Sequence, residues 1–430
     1  MPTVARRPVA TSSPDDSADV AVVGAGAAGL MAAIWAARTH TGRRIVCLDG
    51  APTLGAKILI AGGGRCNVTH DVVDERVFAG SSPNAIRKVL RRFDVDATIA
   101  FFRAQGVTLK REETGKLFPV TDRARTVLEA LVTAAGDLGV VLRHPWRVET
   151  VERRHDAFVV AGPGGSLRAG RLVLATGGRS VPQTGSDGHG YALAQSLGHT
   201  VTRTFPALVP LTLPDGHFIR GLSGVTVAVS LELRTATGKR LHRVEGSLVC
   251  THTGLSGPVV LDISRHWLAA HADDATVQLV VNWVPGEVPA GVDALLCAPG
   301  SSGAARRLHA RLPERLVRAL CAQAGVDPSA PAPAMPRAHR RALVTAVTEL
   351  ALPIVGDRGF THAEATAGGV PLSELQLGTM ESRVCPGLHL CGEICDVDGR
   401  IGGYNFQWAW ASGYVAGVGV GAGDADRPRL

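Results

Sequence analysis

Val22-Val23-Gly24-Ala25-Gly26-Ala27-Ala28-Gly29-Leu30 is the stretch whose reading decides the fold. It continues an apolar run that predicts a short buried strand over Asp19–Val23. An Ala-rich helix is expected over Ala28–Arg38, with Leu30, Ile34 and Ala37 near one face, and a second strand over Arg44–Leu48. Strand, helix and strand form a βαβ unit, the start of a parallel sheet. In such a unit Gly24 permits the tight turn. Gly26 lets the backbone approach a pyrophosphate, and Gly29 lets helix and strand pack closely. Ala27 and Ala28 open the helix, whose free N–H groups and partial positive charge face the phosphates. Asp49 ends the second strand, twenty residues beyond Gly29. An acid there is placed to accept hydrogen bonds from the ribose of an adenosine.

A second glycine-rich signature stands at the other end of the chain: Cys391-Gly392-Glu393, then Gly402-Gly403-Tyr404-Asn405 before an apolar helix. A nucleotide fold opened at one end of the chain and closed at the other suits a long dinucleotide, and non-covalent FAD is the natural candidate. Gly402-Gly403 precedes a helix expected to begin near Asn405, and a helix N-terminus at a glycine pair suits a flavin pyrimidine carbonyl or a ribityl chain. Of Glu393, Asp396 and Asp398, one carboxylate is expected to take ribityl hydroxyls, and pattern alone does not rank them.

Between these ends lie three further candidate segments. Leu54–Asn67 carries Lys57 and then Gly62-Gly63-Gly64-Arg65-Cys66-Asn67. Three consecutive glycines are costly in regular structure. Their use is backbone running close to a ligand, or a nest of N–H groups, with Lys57 and Arg65 adding positive charge. Cys66 reads as a buried structural thiol rather than a group beside a reactive ring. Leu172–Gly178 is a strand entering a turn, with Ala175, Thr176 and Gly177 at its end. In Thr184–Gly190, Asp187 and His189 are candidate acid–base residues, against which a turn and helix-cap role competes. No catalytic residue is singled out.

The bulk properties narrow the classes. A chain of 430 residues has room for two or three domains. Its eight cysteines contain no CxxC pair, so neither a disulfide framework nor a metal site is expected. No apolar run reaches the length of a membrane span. Arg6-Arg7 is followed by a polar, acidic stretch rather than an apolar one, so residues 1–18 read as a disordered tail and the protein as cytoplasmic. A net charge of +7 and a pI near 9.2 admit nucleic acid as a partner, but no clustered basic and aromatic stripe accompanies them. A small-molecule substrate is the expected partner. Oligomeric state is not legible.

The texture changes near residue 201. Alternating runs such as Val225–Val229 and Val277–Val281 predict strands, and helices are expected over Ala304–Ala324 and Ala338–Leu350. The expected organisation is a first part of the nucleotide domain over 19–200, an insert over 201–350, a second part over 351–420, and a tail over 421–430.

These motifs together resemble the BaiN/YhiN-type NAD(P)/FAD-dependent oxidoreductases of bacteria, over nearly the whole chain after the tail. The resemblance rests on Val22–Leu30, on Gly62–Asn67, and on Gly115–Asp122 and Ala175–Gly178. It rests also on Thr251–Pro258, on Ala367–Val370 and on Gly392–Asn405. It implies an α/β fold: a Rossmann-like FAD domain formed by both chain ends and interrupted by a β-barrel with a helical piece. It also implies FAD contacts at Gly24, Gly26, Ala28, Asp49, Gly64, Asn67, Val148, Thr176, Gly392 and Tyr404. Asp49 departs from the glutamate frequent in that family. The leading functional expectation is reduction of a small organic substrate, such as an activated double bond. NAD(P)H would bind transiently, since no second GxGxxG follows a strand. The alternatives are a flavin-dependent tRNA-modifying enzyme similar to the GidA or TrmFO groups, favoured by Arg306, Arg307, Arg311, Arg315 and Arg318, and a flavin-binding protein without turnover.

Overall fold

A computed structural model describes residues 16–299, 302–329 and 331–421. It divides into two compact units, one made of both chain ends and one spanning Phe205–Ala367. The sequence expectation closed the insert at 350. The structure keeps the strands Leu350–Leu352, Gly356–Asp357 and Ala365–Ala367 with it, because each pairs with a strand of that unit.

The unit of the chain ends is built on β1 (Ser17–Val23) and β2 (Ile45–Leu48), joined through the helix α1 (Ala27–Thr39). β1 begins two residues inside the expected tail, because Ser17 and Ala18 pair with Arg168 and Ala169. Residues 1–15 of that tail, and 422–430 of the expected tail 421–430, lie outside the described residues. Gly165–Leu174 lies parallel to β1 on the side away from β2, followed outward by Leu388–Leu390, also parallel; Val141–Arg143 extends the sheet beyond β2. Unbroken apolar, buried runs where these strands pair, Val20–Val23, Ile45–Leu48 and Leu172–Leu174, with Val20, Ala21 and Val22 at 0% exposure, are what a sheet covered on both faces requires. A meander of Thr150–Arg154 and Ala157–Gly162 folds back on Gly165–Leu174. At the other edge, Leu375–Gln376 and Glu381–Ser382 close the sheet next to Leu388–Leu390.

The two chain ends meet on this sheet. α1 packs on the C-terminal helix Tyr404–Gly419 almost backbone to backbone. A Cβ added at Gly413 would lie 2.5 Å from the Ala28 carbonyl oxygen, and one at Gly417 would lie 2.4 Å from that of Ala32. Glycines four apart on one helix face alanines four apart on the other, so no side chain separates the axes.

In the second unit, seven antiparallel strands run in the order Leu350–Leu352, Gln278–Asn282, Thr226–Arg234, Arg240–Thr251, Gly254–Ser256, Leu211–Thr212 and Gly356–Asp357. Val227, Val229, Leu231 and Leu233 alternate inward and pack with Val260, Ile263 and Trp267 of the helix Pro258–Asp273. Four helices follow: Pro289–Cys297, Ala304–Leu308, Glu314–Gln323 and Arg337–Thr348. The single helix expected over Ala304–Ala324 is broken at Pro313, which lacks the N–H a helix interior needs and instead precedes a new helix.

Candidate functional site

Parallel strands deliver their following loops to one edge, and a crevice forms outside their carboxyl ends. Here the loops after β1, β2, Gly165–Leu174 and Leu388–Leu390 converge there. Gly24 N–H donates to the Leu48 carbonyl at 2.7 Å, Ala175 N–H to Val23 at 2.9 Å, and Cys391 N–H to Leu174 at 3.1 Å. Gly24 has φ of 100°, and a Cβ there would sit 2.4 Å from the Ala175 carbonyl oxygen. A Cβ on Gly29 would sit 1.8 Å from the Gly24 oxygen. Gly26, by contrast, faces no heavy atom within 4 Å. The first and third glycines fold the loop, while the middle one leaves room in front of it.

Beyond β2 the crevice is walled by Asp49, Gly50 and Ala51, with His144 Nε2 2.7 Å from the Ala51 carbonyl oxygen and Arg147 against Gly50. Val148, the next residue, is buried. Asp49 accepts from Ala25 N–H at 2.6 Å and from Ala51 N–H at 2.8 Å. Its carboxylate therefore braces the glycine loop, and its remaining lone pairs are what a ribose would use. Asp187 accepts from His189 N–H at 3.0 Å and pairs with Arg147 at 2.7 Å, while His189 Nε2 lies 2.9 Å from the Glu149 carbonyl. Burial raises the Asp187 carboxyl, but these hydrogen bonds and the Arg147 charge outweigh it and hold it below its ordinary range. The cap and turn reading fits both residues, and neither is presented as a free acid or base.

The glycine run bends α2 (Ala56–Gly64) at its end: Gly62, Gly63 and Gly64 have φ of 57°, 68° and 85°. Such consecutive left-handed residues turn the chain so that Asn67–His70 runs beside Gly402–Tyr404. A Cβ on Gly403 would meet Asn67 Oδ1 at 2.8 Å, and the His70 ring stacks on Tyr404 with centroids 4.8 Å apart. Arg65 lies over the Phe118 ring at 4.0 Å and pairs with Glu112 at 2.6 Å. Cys66 is wholly buried, which pushes its thiol up to about 12. Burial also raises the thiols of Cys47, Cys391 and Cys395, so none of the four supplies a thiolate near neutral pH.

The C-terminal loop is held by side chains the sequence reading did not name. Trp408 Nε1 donates to the Gly392 carbonyl at 3.0 Å, and Gly392 N–H donates to Ser412 Oγ at 2.9 Å. Gln407, 1% exposed, accepts from Thr69 and Thr98 hydroxyls at 2.7 and 3.0 Å and donates to Phe93 at 2.9 Å. Trp410 Nε1 donates to the Val68 carbonyl at 2.8 Å. Asn405 bonds both ways with the Gly399 backbone, at 2.8 and 3.0 Å. Asp398 is buried in the strand Val397–Gly399. Glu393 pairs with Lys57 at 2.5 Å, so these two candidates meet each other. The polar positions spaced along an apolar C-terminal helix (Gln407, Ser412) were the available signal for these anchors.

The residues fit a dinucleotide on structural grounds. Neither α1 nor the C-terminal helix has a side-chain cap or an acid in its first turn. Both N-termini therefore turn partial positive charge towards the crevice. Asn67 Oδ1 and Thr176 Oγ1 are buried with no protein hydrogen-bond partner. Buried polar atoms of this kind are costly unless something satisfies them. Gly24, Gly26, Ala27, Ala28 and Gly29 would hold the pyrophosphate and Asp49 the adenosine ribose. Asn67, Thr176, Gly177 and Gly392–Asn405 would hold the rest of FAD.

Glycine fingerprint, crevice and the two bare helix ends define a Rossmann-type flavoprotein, an FAD-dependent oxidoreductase. The chain belongs to the HI0933-like family, whose Rossmann-domain description matches residues 18–419. It is 33% identical over 403 residues to a 3-dehydro-bile acid delta(4,6)-reductase of Clostridium scindens, covering 93% of this chain and 98% of that one. It is also 33% identical over 400 residues to a ribosomal RNA dihydrouridine synthase of Escherichia coli, covering 92% and 96%. A protein of the same description from Haemophilus influenzae is 30% identical over 408 residues, covering 93% and 97%. Among the described residues no helix is long and apolar enough to cross a membrane, and no group of three or more His, Cys, Asp or Glu could hold a metal.

Proposed function

We propose that the protein reduces a carbon–carbon double bond conjugated to a carbonyl, with NAD(P)H as the transient electron donor. The observation that carries this is a shared bond type. A 3-oxo bile acid with 4,6-unsaturation and a uracil ring are unrelated in shape. Yet each relative's named reaction adds two hydrogens across a C=C that a carbonyl activates. Bound FAD would supply hydride chemistry. The chain's own part is positioning and electrostatics. The N-terminus of the C-terminal helix would favour negative charge developing on a flavin held beside it. Asn67 Oδ1 offers an acceptor beside that helix start. The buried thiols stay protonated and take no part as nucleophiles. The lack of a second dinucleotide fingerprint supports a donor that binds in turn with the substrate rather than in a domain of its own.

An RNA substrate is the second reading, favoured by the ribosomal RNA dihydrouridine synthase relatives. The arginine-rich helical stretch adds little to it. Arg311 pairs with Glu287, Arg318 with Glu314, Arg315 donates to the Gly221 and Ser223 carbonyls, and Arg307 donates to Leu295. Four of those five side chains are thus engaged in their own fold.

Anaerobic titration separates the readings. NADPH or NADH should bleach the flavin. A steroid dienone or a uridine-containing ribosomal RNA fragment should then restore its colour, and the effective acceptor identifies the substrate class. A flavin that no nicotinamide bleaches would sink the donor proposal. Colour restored by neither acceptor would sink the bond-type proposal. RNA binding that weakens steeply with salt is the further mark of the second reading.

A further inference from the structure

We propose that Lys57, Ser180 and Glu393 form a strap across the dinucleotide crevice that retains the cofactor. The inference rests on FAD as the cofactor and concerns residues of this chain that bind one another. Lys57 Nζ donates to Ser180 Oγ at 2.5 Å and to Glu393 Oε2 at 2.5 Å, and Ser180 Oγ donates to Glu393 Oε1 at 2.9 Å. Tyr191 OH adds a bond to the Glu393 carbonyl at 3.4 Å. Ser180 is 0% exposed, and the Lys57 and Glu393 side chains keep 29% and 19%. This is a charge-assisted, doubly bonded cluster largely withdrawn from water, stronger than an ordinary surface ion pair.

Its position follows from the sheet order. Lys57 lies after β2, Ser180 after Gly165–Leu174 and Glu393 after Leu388–Leu390. The order across the sheet is Leu388–Leu390, Gly165–Leu174, β1, β2. Strands lie about 4.8 Å apart, so the outer two are roughly 14 Å apart. Contact between Lys57 and Glu393 therefore closes a ring around the carboxyl ends of Gly165–Leu174 and β1. Those ends carry Thr176 and the Gly24–Gly29 loop, where the dinucleotide would lie. A lysine in the first turn of α2 also opposes that helix's own dipole. Its place there is accounted for by the partner across the crevice rather than by local helix stability. With FAD in the crevice, the strap must part for it to leave.

The test is the rate of FAD release from the loaded protein, followed by the rise in flavin fluorescence after dilution. Lys57→Ala and Glu393→Gln should each release FAD at least tenfold faster. The double variant should be no faster than the faster single one, because either change opens the same strap. Lys57→Arg should keep much of the wild-type rate. Added salt should speed release from the wild type and have less effect in Glu393→Gln, which keeps the shape but loses the charge and one of the two acceptor oxygens. Release within twofold of wild type in both single variants overturns the strap. So does a fully additive double variant, or a wild-type rate that is flat with salt, which requires no variant to fold. A chain that takes up no flavin on reconstitution overturns the cofactor reading itself, and is distinct from a loaded chain with unchanged release.

Discussion

The crevice has two bare helix ends that look alike and are made differently. At the start of α1 the loop is shaped mainly by backbone: Gly24 and Gly29 touch neighbouring main chain, Gly26 touches nothing, and Asp49 braces the turn from the end of β2. At the start of the C-terminal helix the loop is shaped by side chains from distant segments. Gln407, Trp408, Trp410 and Ser412 tie it to residues around Val68, Phe93 and Gly392. A loop built from backbone is legible as a motif, because glycine spacing is its whole specification. A loop built from side-chain contacts leaves only scattered polar positions in an apolar helix.

The largest effect should come from the backbone-built end. Gly29→Ala places a methyl 1.8 Å from the Gly24 carbonyl oxygen, so α1 cannot dock and the folded, flavin-loaded protein should be lost. Gly26→Ala meets no atom within 4 Å. It should melt within a degree or two of wild type yet hold FAD poorly. Soluble yield, melting temperature and bound flavin read both. If the Gly26 variant keeps its flavin, no ligand backs onto that glycine and the contrast between the glycines fails.

Gln407→Leu probes the side-chain-built end. It strands the Phe93 carbonyl and takes one acceptor from two buried hydroxyls, leaving Thr98 only the Asp94 carbonyl at 2.9 Å and Thr69 only that of His70 at 3.4 Å. Each unsatisfied buried group costs about 1–3 kcal/mol, part of it relieved by rotation of the hydroxyls, so a loss of about 2–4 kcal/mol is expected in urea unfolding. A change below about 0.5 kcal/mol would show that the C-terminal end is set by backbone as well.

The same contrast explains how far the sequence carried. The βαβ start, the return of the chain end to the same sheet and the turns at Gly24–Gly29, Gly62–Gly64 and Gly402–Gly403 are local patterns. Ser180 was missed because its partners, Lys57 and Glu393, are 123 and 213 residues away. Gln407 was missed for the same reason, its hydroxyl partners lying 338 and 309 residues distant. Lys57 and Glu393 were singled out, but as separate cofactor ligands, since spacing does not report a mutual contact. The break at Pro313 was visible in the chain, and the even Ala and Leu texture around it hid it.

Asp49→Ala sharpens the comparison from the backbone side. It removes the brace on Ala25 and Ala51 together with the carboxylate expected at the adenosine ribose. A charged hydrogen bond contributes about 1.5–3 kcal/mol, so FAD affinity should fall about tenfold or more, and loss of the two bracing bonds should also lower the melting temperature of the cofactor-free chain. Isothermal titration of the apoprotein with FAD checks it. An unchanged dissociation constant would leave Asp49 with the brace alone.

The smallest effect is expected at the sheet edge beside Leu388–Leu390, where a second side-chain device sits. Ser382 Oγ accepts from Val384 and Cys385 N–H at 3.0 and 2.8 Å, which uses both acceptor sites of the hydroxyl. Its own hydrogen must therefore go to His199 Nε2, 2.7 Å away, leaving Nδ1–H to donate to Glu374 at 2.6 Å. Burial raises the Glu374 carboxyl, but hydrogen bonds from Thr200 and His199 outweigh it and hold it below its ordinary value. A carboxyl depressed in the folded state stabilises fully above its unfolded pKa, about 4.3 for glutamate. That stabilisation is lost as the pH falls through the lower folded value. Wild type should therefore melt above Glu374→Gln at neutral pH, and the gap should close as the pH falls below about 4. Thermal melts from pH 7 to pH 3 measure it. A gap that stays constant across that range would mean that Glu374 holds His199 by shape rather than by charge.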